Sequence, residues 1–124
     1  VRVLVTGASG LIGGQVCRAL QARGHEVSGL VRGVRTVALP ADVVVVRGDV
    51  TRADSLRTAV EGCDAVVHCA AVYSYDADSS ALTRVAVDGT RAVVLAAAAA
   101  GVRRVVVTSS SVTCGSSATP DAVD

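Results

Sequence analysis

The 124-residue sequence predicts an α/β domain built on a doubly wound parallel sheet, and three observations point there. Its strand-like runs are nearly pure valine, as in Val43-Val44-Val45-Val46 and Val105-Val106-Val107. Strands with no polar face belong in a sheet covered by helices on both sides, which is the parallel arrangement. These runs alternate with segments of helical periodicity, the pattern of successive βαβ units. The first run also passes straight into a glycine-rich turn, Thr6-Gly7-Ala8-Ser9-Gly10-Leu11-Ile12-Gly13, that opens a helix.

Taken in order, residues 1–6 form a strand too apolar to hold one face in water. After the glycine turn, Ile12, Val16, Ala19 and Leu20 recur at helical spacing, and Gly24 closes that helix. Glu26 to Val31 is the second strand, ending at Arg32-Gly33. A loop containing Pro40 leads to the third, Asp42 to Arg47, followed by the turn Gly48-Asp49-Val50. Thr51 with Asp54 three residues on resembles a capping box for a helix carrying Leu56, Ala59 and Val60, and Gly62 ends it. Asp64 to Ala71 is the fourth strand, carrying Ala65-Val66-Val67-His68-Cys69, and a polar loop with Tyr73 and Tyr75 follows. The longest helix runs from about Ser80 to Ala100 with an apolar stripe of Leu82, Ala86, Gly89, Val93 and Ala97. Gly101 stops it, and the fifth strand, Arg103 to Thr108, runs into Ser109-Ser110-Ser111. The remainder, through Ser117, Pro120 and Asp124, is polar and turn-like.

Right-handed crossovers leave little freedom of topology. The expected arrangement is a Rossmann-type sheet of strand order 3-2-1-4-5, with the ligand crevice at the carboxyl ends where the order reverses between strands one and four. The glycine turn sits at that point. A strand entering such a turn and then a helix brings backbone N–H groups and the positive end of the helix dipole to one spot, suited to a dinucleotide pyrophosphate. The glycines divide the work into a tight turn, close approach to phosphate, and close packing of helix on strand. Their spacing, G-x-x-G-x-x-G, differs by one residue from the G-x-G-x-x-G fingerprint.

Composition narrows the function classes. Hydrophobic residues make up 51% of the chain and aromatics 2%, so the core must be built from Val, Ala and Leu. All twelve basic residues are Arg, a bias consistent with a GC-rich genome. The net charge is +1 with both signs scattered, which leaves no nucleic-acid or membrane footprint. No run approaches the length of a membrane span, and no signal-peptide pattern opens the chain. Cys17, Cys63, Cys69 and Cys114 form no C-x-x-C pair and no metal-ligand spacing, so no metal site is expected. Free buried thiols in a cytoplasmic protein are the expectation.

The chain resembles the extended short-chain dehydrogenases/reductases, the group of epimerases, dehydratases and dihydroflavonol reductases. The resemblance is carried by the glycine turn, by Gly48-Asp49-Val50, His68-Cys69-Ala70-Ala71, Val87-Asp88-Gly89-Thr90 and Val107-Thr108-Ser109-Ser110-Ser111. It implies that residues 1–124 are an NAD(P)-binding domain, cut after strand five, of an enzyme transferring hydride at a carbinol or carbonyl carbon of a small-molecule substrate. A homodimer is implied for the full-length protein. Gly7, Ala8, Ser9, Gly10, Leu11, Ile12 and Gly13 would hold the pyrophosphate. Asp49 would accept from the adenine amino group beside Val50, and Ala70, Ala71 and Thr108 would complete the cofactor wall. Ser110 takes the position of the active hydroxyl, with Ser111 the fallback if the register shifts by one. His68 reads as a satisfied core histidine, and Tyr73 as a substrate contact or a solvated loop residue. Asp88 stands where the family commonly has Asn, whose donating amide an ionised carboxylate cannot replace.

The family's Tyr-x-x-x-Lys pair is absent, and the sequence contains no lysine. The chain alone is therefore expected to be inactive, as a fragment or a truncated gene product, with a valine-rich fifth strand as an open edge. A non-catalytic dinucleotide sensor is the alternative. At the end of strand two, Val31 occupies the usual place of the carboxylate that bonds both ribose hydroxyls. Arg32 follows, with Arg35 nearby, so the expected cofactor is NADP, with NAD possible.

Overall fold

The computed structural model describes residues 1–33, 39–72 and 78–110. Five parallel strands, β1 (Arg2–Thr6), β2 (Glu26–Val31), β3 (Val44–Arg47), β4 (Ala65–His68) and β5 (Arg104–Val107), form one sheet in the order β3-β2-β1-β4-β5. This is the expected topology, with the order reversing between β1 and β4. Register sets Leu4 beside Val66, and Thr6 between Leu30 and His68.

Strand alternation sends these residues to two cores. On one face Leu4, Leu30 and Val66 pack with Leu56 and Val60 of α2 (Ala53–Val60) and with Val93 and Ala97 of α4 (Thr90–Ala99). On the other, Val5 and Val27 pack with Cys17 of α1 (Leu11–Gln21). Fully burying one Val or Leu contributes about 1.5–3 kcal/mol, and among the described residues both clusters are built from Val, Leu, Ala and Cys.

Three local expectations need correction. Thr51 does not cap α2: the helix begins after Arg52 with no side-chain cap, and the Thr51 hydroxyl donates to Asp49 instead. The third strand starts at Val44, because Asp42 turns the chain with a φ of 65° and Val43 N–H closes back onto Pro40. The long helix is not uniform. It starts as α3 (Ser79–Thr83), widens into a π-helical segment (Arg84–Gly89) and resumes as α4. The wider winding turns Ala86 outward and brings Val85 inward, so the stripe reads Leu82, Val85, Gly89, Val93, Ala97. Arg35, Tyr73, Tyr75, Ser111, Cys114, Ser117, Pro120 and Asp124 lie outside the described residues.

Helix α1 contains adjacent glycines with opposite constraints. A Cβ on Gly13 would lie 2.2 Å from the Gly7 carbonyl oxygen, whereas one on Gly14 would meet nothing nearer than 3.6 Å. Gly13→Ala should therefore destabilise the fold by about 1–3 kcal/mol. Gly14→Ala should stabilise it by about 0.5–1 kcal/mol through helix propensity. Urea unfolding of both variants checks the pair, and equal effects would contradict the packing described.

Candidate functional site

Strand β1 ends at Thr6 and the chain turns at Gly7, whose φ is 67°. A Cβ there would lie 2.7 Å from the Ala70 nitrogen, so only glycine lets the turn rest on the end of β4. Gly10 N–H donates to the Gly7 carbonyl at 2.9 Å, and Gly14 N–H to that of Gly10 at 2.9 Å. Helix α1 therefore starts directly above the sheet's carboxyl edge. No side chain caps it and no acidic residue occupies its first turn. The leading N–H groups and the dipole's positive end are thus available to an anion. Leu11 and Ile12, 82% and 59% exposed, flank this end.

Between the turn and the sheet lies a crevice of about 170 Å³. Gly7, Ser9 and Gly10 form its roof, Ala70 and Ala71 its floor, and Leu30, Val31, Val50 and Val85 its apolar wall. Arg32, Gly48 and Cys69 complete the lining. It crosses the ends of β1, β2 and β4, the switch point where open α/β sheets take ligands.

Asp49 stands on the rim beside the crevice, in a groove it shares with Arg32 and Arg52. Its carboxylate accepts from the Thr51 N–H and hydroxyl, each at 2.8 Å. Partial burial pushes its pKa up, but these two bonds and the charges of Arg32 and Arg52 outweigh that and hold it below the ordinary carboxylate value. Asp49 is an ionised acceptor in a fixed orientation.

Beneath the floor, His68 is buried and bonded through both ring nitrogens. Nδ1 lies 2.7 Å from Thr6 Oγ1 and Nε2 lies 3.0 Å from Thr90 Oγ1. This is the satisfied histidine expected from the sequence, and burial pushes its pKa down, which keeps the ring neutral. Thr108, just past β5, donates its N–H and its hydroxyl to the His68 carbonyl, each at 3.0 Å.

The predicted cofactor residues divide accordingly. Gly7, Ser9, Gly10, Arg32, Val50, Ala70 and Ala71 line one crevice. Gly13 packs against the turn, Ala8 is buried, Leu11 and Ile12 are exposed at the start of α1, and Asp49 stands in the adjoining groove. Thr108 spends its hydroxyl on β4, and Ser110 is exposed two residues beyond it. Leu30, Val31, Gly48, Cys69 and Val85 line the crevice without having been expected as cofactor contacts. The first four lie at strand ends within two residues of expected ones, a usable signal. Val85 carried none, since the π winding that turns it inward has no periodicity signature. Among the described residues no His/Cys/Asp/Glu cluster could hold a metal ion, and no helix is long and apolar enough to cross a membrane. Cys17, Cys63 and Cys69 are free thiols, with burial pushing each pKa up.

Residues 3–124 match the NAD dependent epimerase/dehydratase family. Cinnamoyl-CoA reductase 1 of Oryza sativa subsp. japonica is 43% identical across 98% of this chain and 38% of its own length. A short-chain dehydrogenase/reductase superfamily protein from Agrobacterium tumefaciens, solved with bound NAD, has a TM-score of 0.76 and 37% identity, covering 89% of this chain and 33% of that one. WbmG from Bordetella bronchiseptica, solved in complex with NAD and UDP, has a TM-score of 0.82 and 30% identity over 96% and 40% of the two chains. The chain thus spans no more than 40% of the length of these relatives.

The NADP preference expected from Arg32 is overturned by these complexes, whose bound cofactor is NAD. The physical reason lies beside the residue: the ionised Asp49 carboxylate is within its electrostatic reach and offsets the charge on which a 2′-phosphate clamp would depend. Arg35, the second expected contact, lies outside the described residues.

The state of His68 gives a pH signature. Its folded pKa lies below the ordinary 6.5, so below about pH 6.5 the unfolded chain takes up a proton that the folded chain resists. Stability should be complete above that pH and decline as pH falls through it. Urea unfolding at pH 7.5 and 5.5 should show a larger acid loss for the wild type than for His68→Gln. An equal loss in both would contradict a buried neutral ring.

Proposed function

This chain belongs to the NAD dependent epimerase/dehydratase family, and on that footing we propose that it forms the NAD-binding half of an enzyme acting at a carbinol or carbonyl carbon of a small molecule. The observation that carries the reading is the glycine-roofed crevice beneath an uncapped helix N-terminus, at the point where the strand order reverses.

The residues fit a dinucleotide. The cradle under Gly7 is one that a Cβ would fill, and the first turn of α1 offers N–H donors with no acid competing for them. A pyrophosphate seated there meets the backbone amides of Leu11, Ile12 and Gly13, while Gly10, whose own N–H is spent on Gly7, lines the approach. The methyl-sized side chains of Ala70 and Ala71 leave room for a ribose. Val50, Val85 and Leu30 give an adenine ring an apolar slot, and Asp49 accepts from its exocyclic amine at the rim. Bound NAD supplies a hydride acceptor, or in its reduced form a donor. Ser110, at the carboxyl end of β5, orients the substrate oxygen by hydrogen bonding. The free thiols suit a cytoplasmic setting.

Calorimetric titration with NAD and with nicotinamide hypoxanthine dinucleotide, which lacks the adenine amine, tests the assignment. A hydrogen bond to a charged group is worth about 1.5–3 kcal/mol, so the wild type should prefer NAD by at least about tenfold. Asp49→Ala should bind both alike. No NAD binding, or a preference that survives Asp49→Ala, would refute it. These residues include no lysine, and a general acid–base group contributes about 10²–10⁴ in rate. NAD reduction or oxidation by the 124-residue chain should therefore stay at background across alcohols, aldehydes and nucleotide sugars, and saturable turnover would contradict this.

A further inference from the structure

The segment Val87-Asp88-Gly89-Thr90 belongs to the sequence resemblance, yet none of its residues lines the crevice. Asp88 and Val87 are exposed, whereas Gly89 is buried and Thr90 half-buried. The two inward-facing positions each meet something that does line or support the crevice.

Gly89 ends the π-helical segment against Val50. A Cβ on it would lie 3.0 Å from Val50 Cγ2, so an added methyl would press on the crevice wall. Thr90 opens α4 and places Oγ1 3.0 Å from His68 Nε2. From His68 the chain of bonds continues through Nδ1 to Thr6 Oγ1 at 2.7 Å, which accepts from the Ala70 N–H at 3.2 Å. Ala70 is the floor residue against which Gly7 rests. A neutral imidazole offers one donor and one acceptor, and a hydroxyl can act as either, so the chain closes in either tautomer. It crosses from helix to sheet to floor without a charged member.

We propose that Gly89 and Thr90 position the dinucleotide crevice from behind: Gly89 sets the depth of Val50 in the wall, and Thr90, through His68 and Thr6, sets the height of Ala70 in the floor. This rests on the NAD-binding reading above. Thr90, His68 and Thr6 are then positioning residues. They touch no ligand, and their effect on affinity passes through the Ala70 peptide. The π winding of Arg84–Gly89 serves the same end, since it delivers Val85 to the wall and Gly89 to Val50 within one turn.

The test uses the full 124-residue chain, with NAD binding followed by calorimetry and Ala70 amide exchange by NMR. Thr90→Val keeps the shape and removes the hydroxyl. It should weaken NAD binding on the order of tenfold and speed Ala70 exchange by a similar factor. Thr90→Ser, which keeps the hydroxyl, should restore both. A Thr90→Val protein that melts earlier but binds NAD with unchanged affinity, or a Ser variant that restores neither reading, would overturn the proposal. Should Thr90→Val fail to fold, the wild type still decides: Ala70 should exchange as slowly as Val66 and Val67, and exchange at the rate of an open loop amide would overturn it. A wild type that binds no NAD defeats the binding reading alone, because the Ala70 measurement judges the bonded chain without any ligand.

Discussion

The approach of Gly7 to Ala70 governs the carboxyl edge of this sheet. With φ at 67° and no Cβ, Gly7 lets the β1–α1 turn settle directly on the peptide that follows β4. Gly13 extends the same economy one helical turn on, where even a methyl would strike the Gly7 carbonyl. These contacts fix where α1 begins, and therefore where its unsatisfied N–H groups point. The crevice exists because the roof is held this close to the floor without touching the ribose-sized space beside it.

A roof needs a floor that does not shift, and buried hydrogen bonds supply it. Thr6 Oγ1 receives the Ala70 N–H, while the Thr6 carbonyl receives the Cys69 N–H at 3.2 Å. His68 joins this pair to α4, and Thr108 joins it to the end of β5. Each partner lies on a different element, so the chain of bonds reports whether β1, β4, β5 and α4 are in register. Burial of a neutral imidazole costs little while both nitrogens are paired and becomes costly if either partner is lost. The network is thus well suited to hold one geometry.

Much of this was legible in the residues. Valine runs with no polar face announce a parallel sheet, and handedness rules leave little freedom of topology; the expected order 3-2-1-4-5 is the one the structure has. The glycine turn was readable from its place between a strand and a helix, whereas Asp49 and the Ala70-Ala71 pair were singled out by the family resemblance, and the structure sets Ala70 and Ala71 in the crevice with Asp49 at its rim. Three things were not legible. The π-helical turn displaces Ala86 in favour of Val85, and no apolar period encodes it. The Thr51/Asp54 spacing fits a capping box, but Asp49 outcompetes the helix end for the Thr51 hydroxyl. Arg32 read in isolation pointed to NADP, whereas its charge is shared with Asp49, a residue seventeen positions away in sequence and adjacent only once β2 and β3 pair. The Arg32 case turned on a partner that tertiary structure brings in, whereas the Thr51 case turned on a competing acceptor only two residues away.

The glycine-roofed crevice at the β1/β4 switch point is the proposed dinucleotide seat, and a crystal structure of this chain grown with NAD would show whether it is filled. Pyrophosphate density is expected within hydrogen-bonding distance of the backbone amides at the start of α1, with the adenine between Val50 and Val85 and its amine on Asp49. Density for NAD at any other surface, with this crevice empty, would contradict this placement.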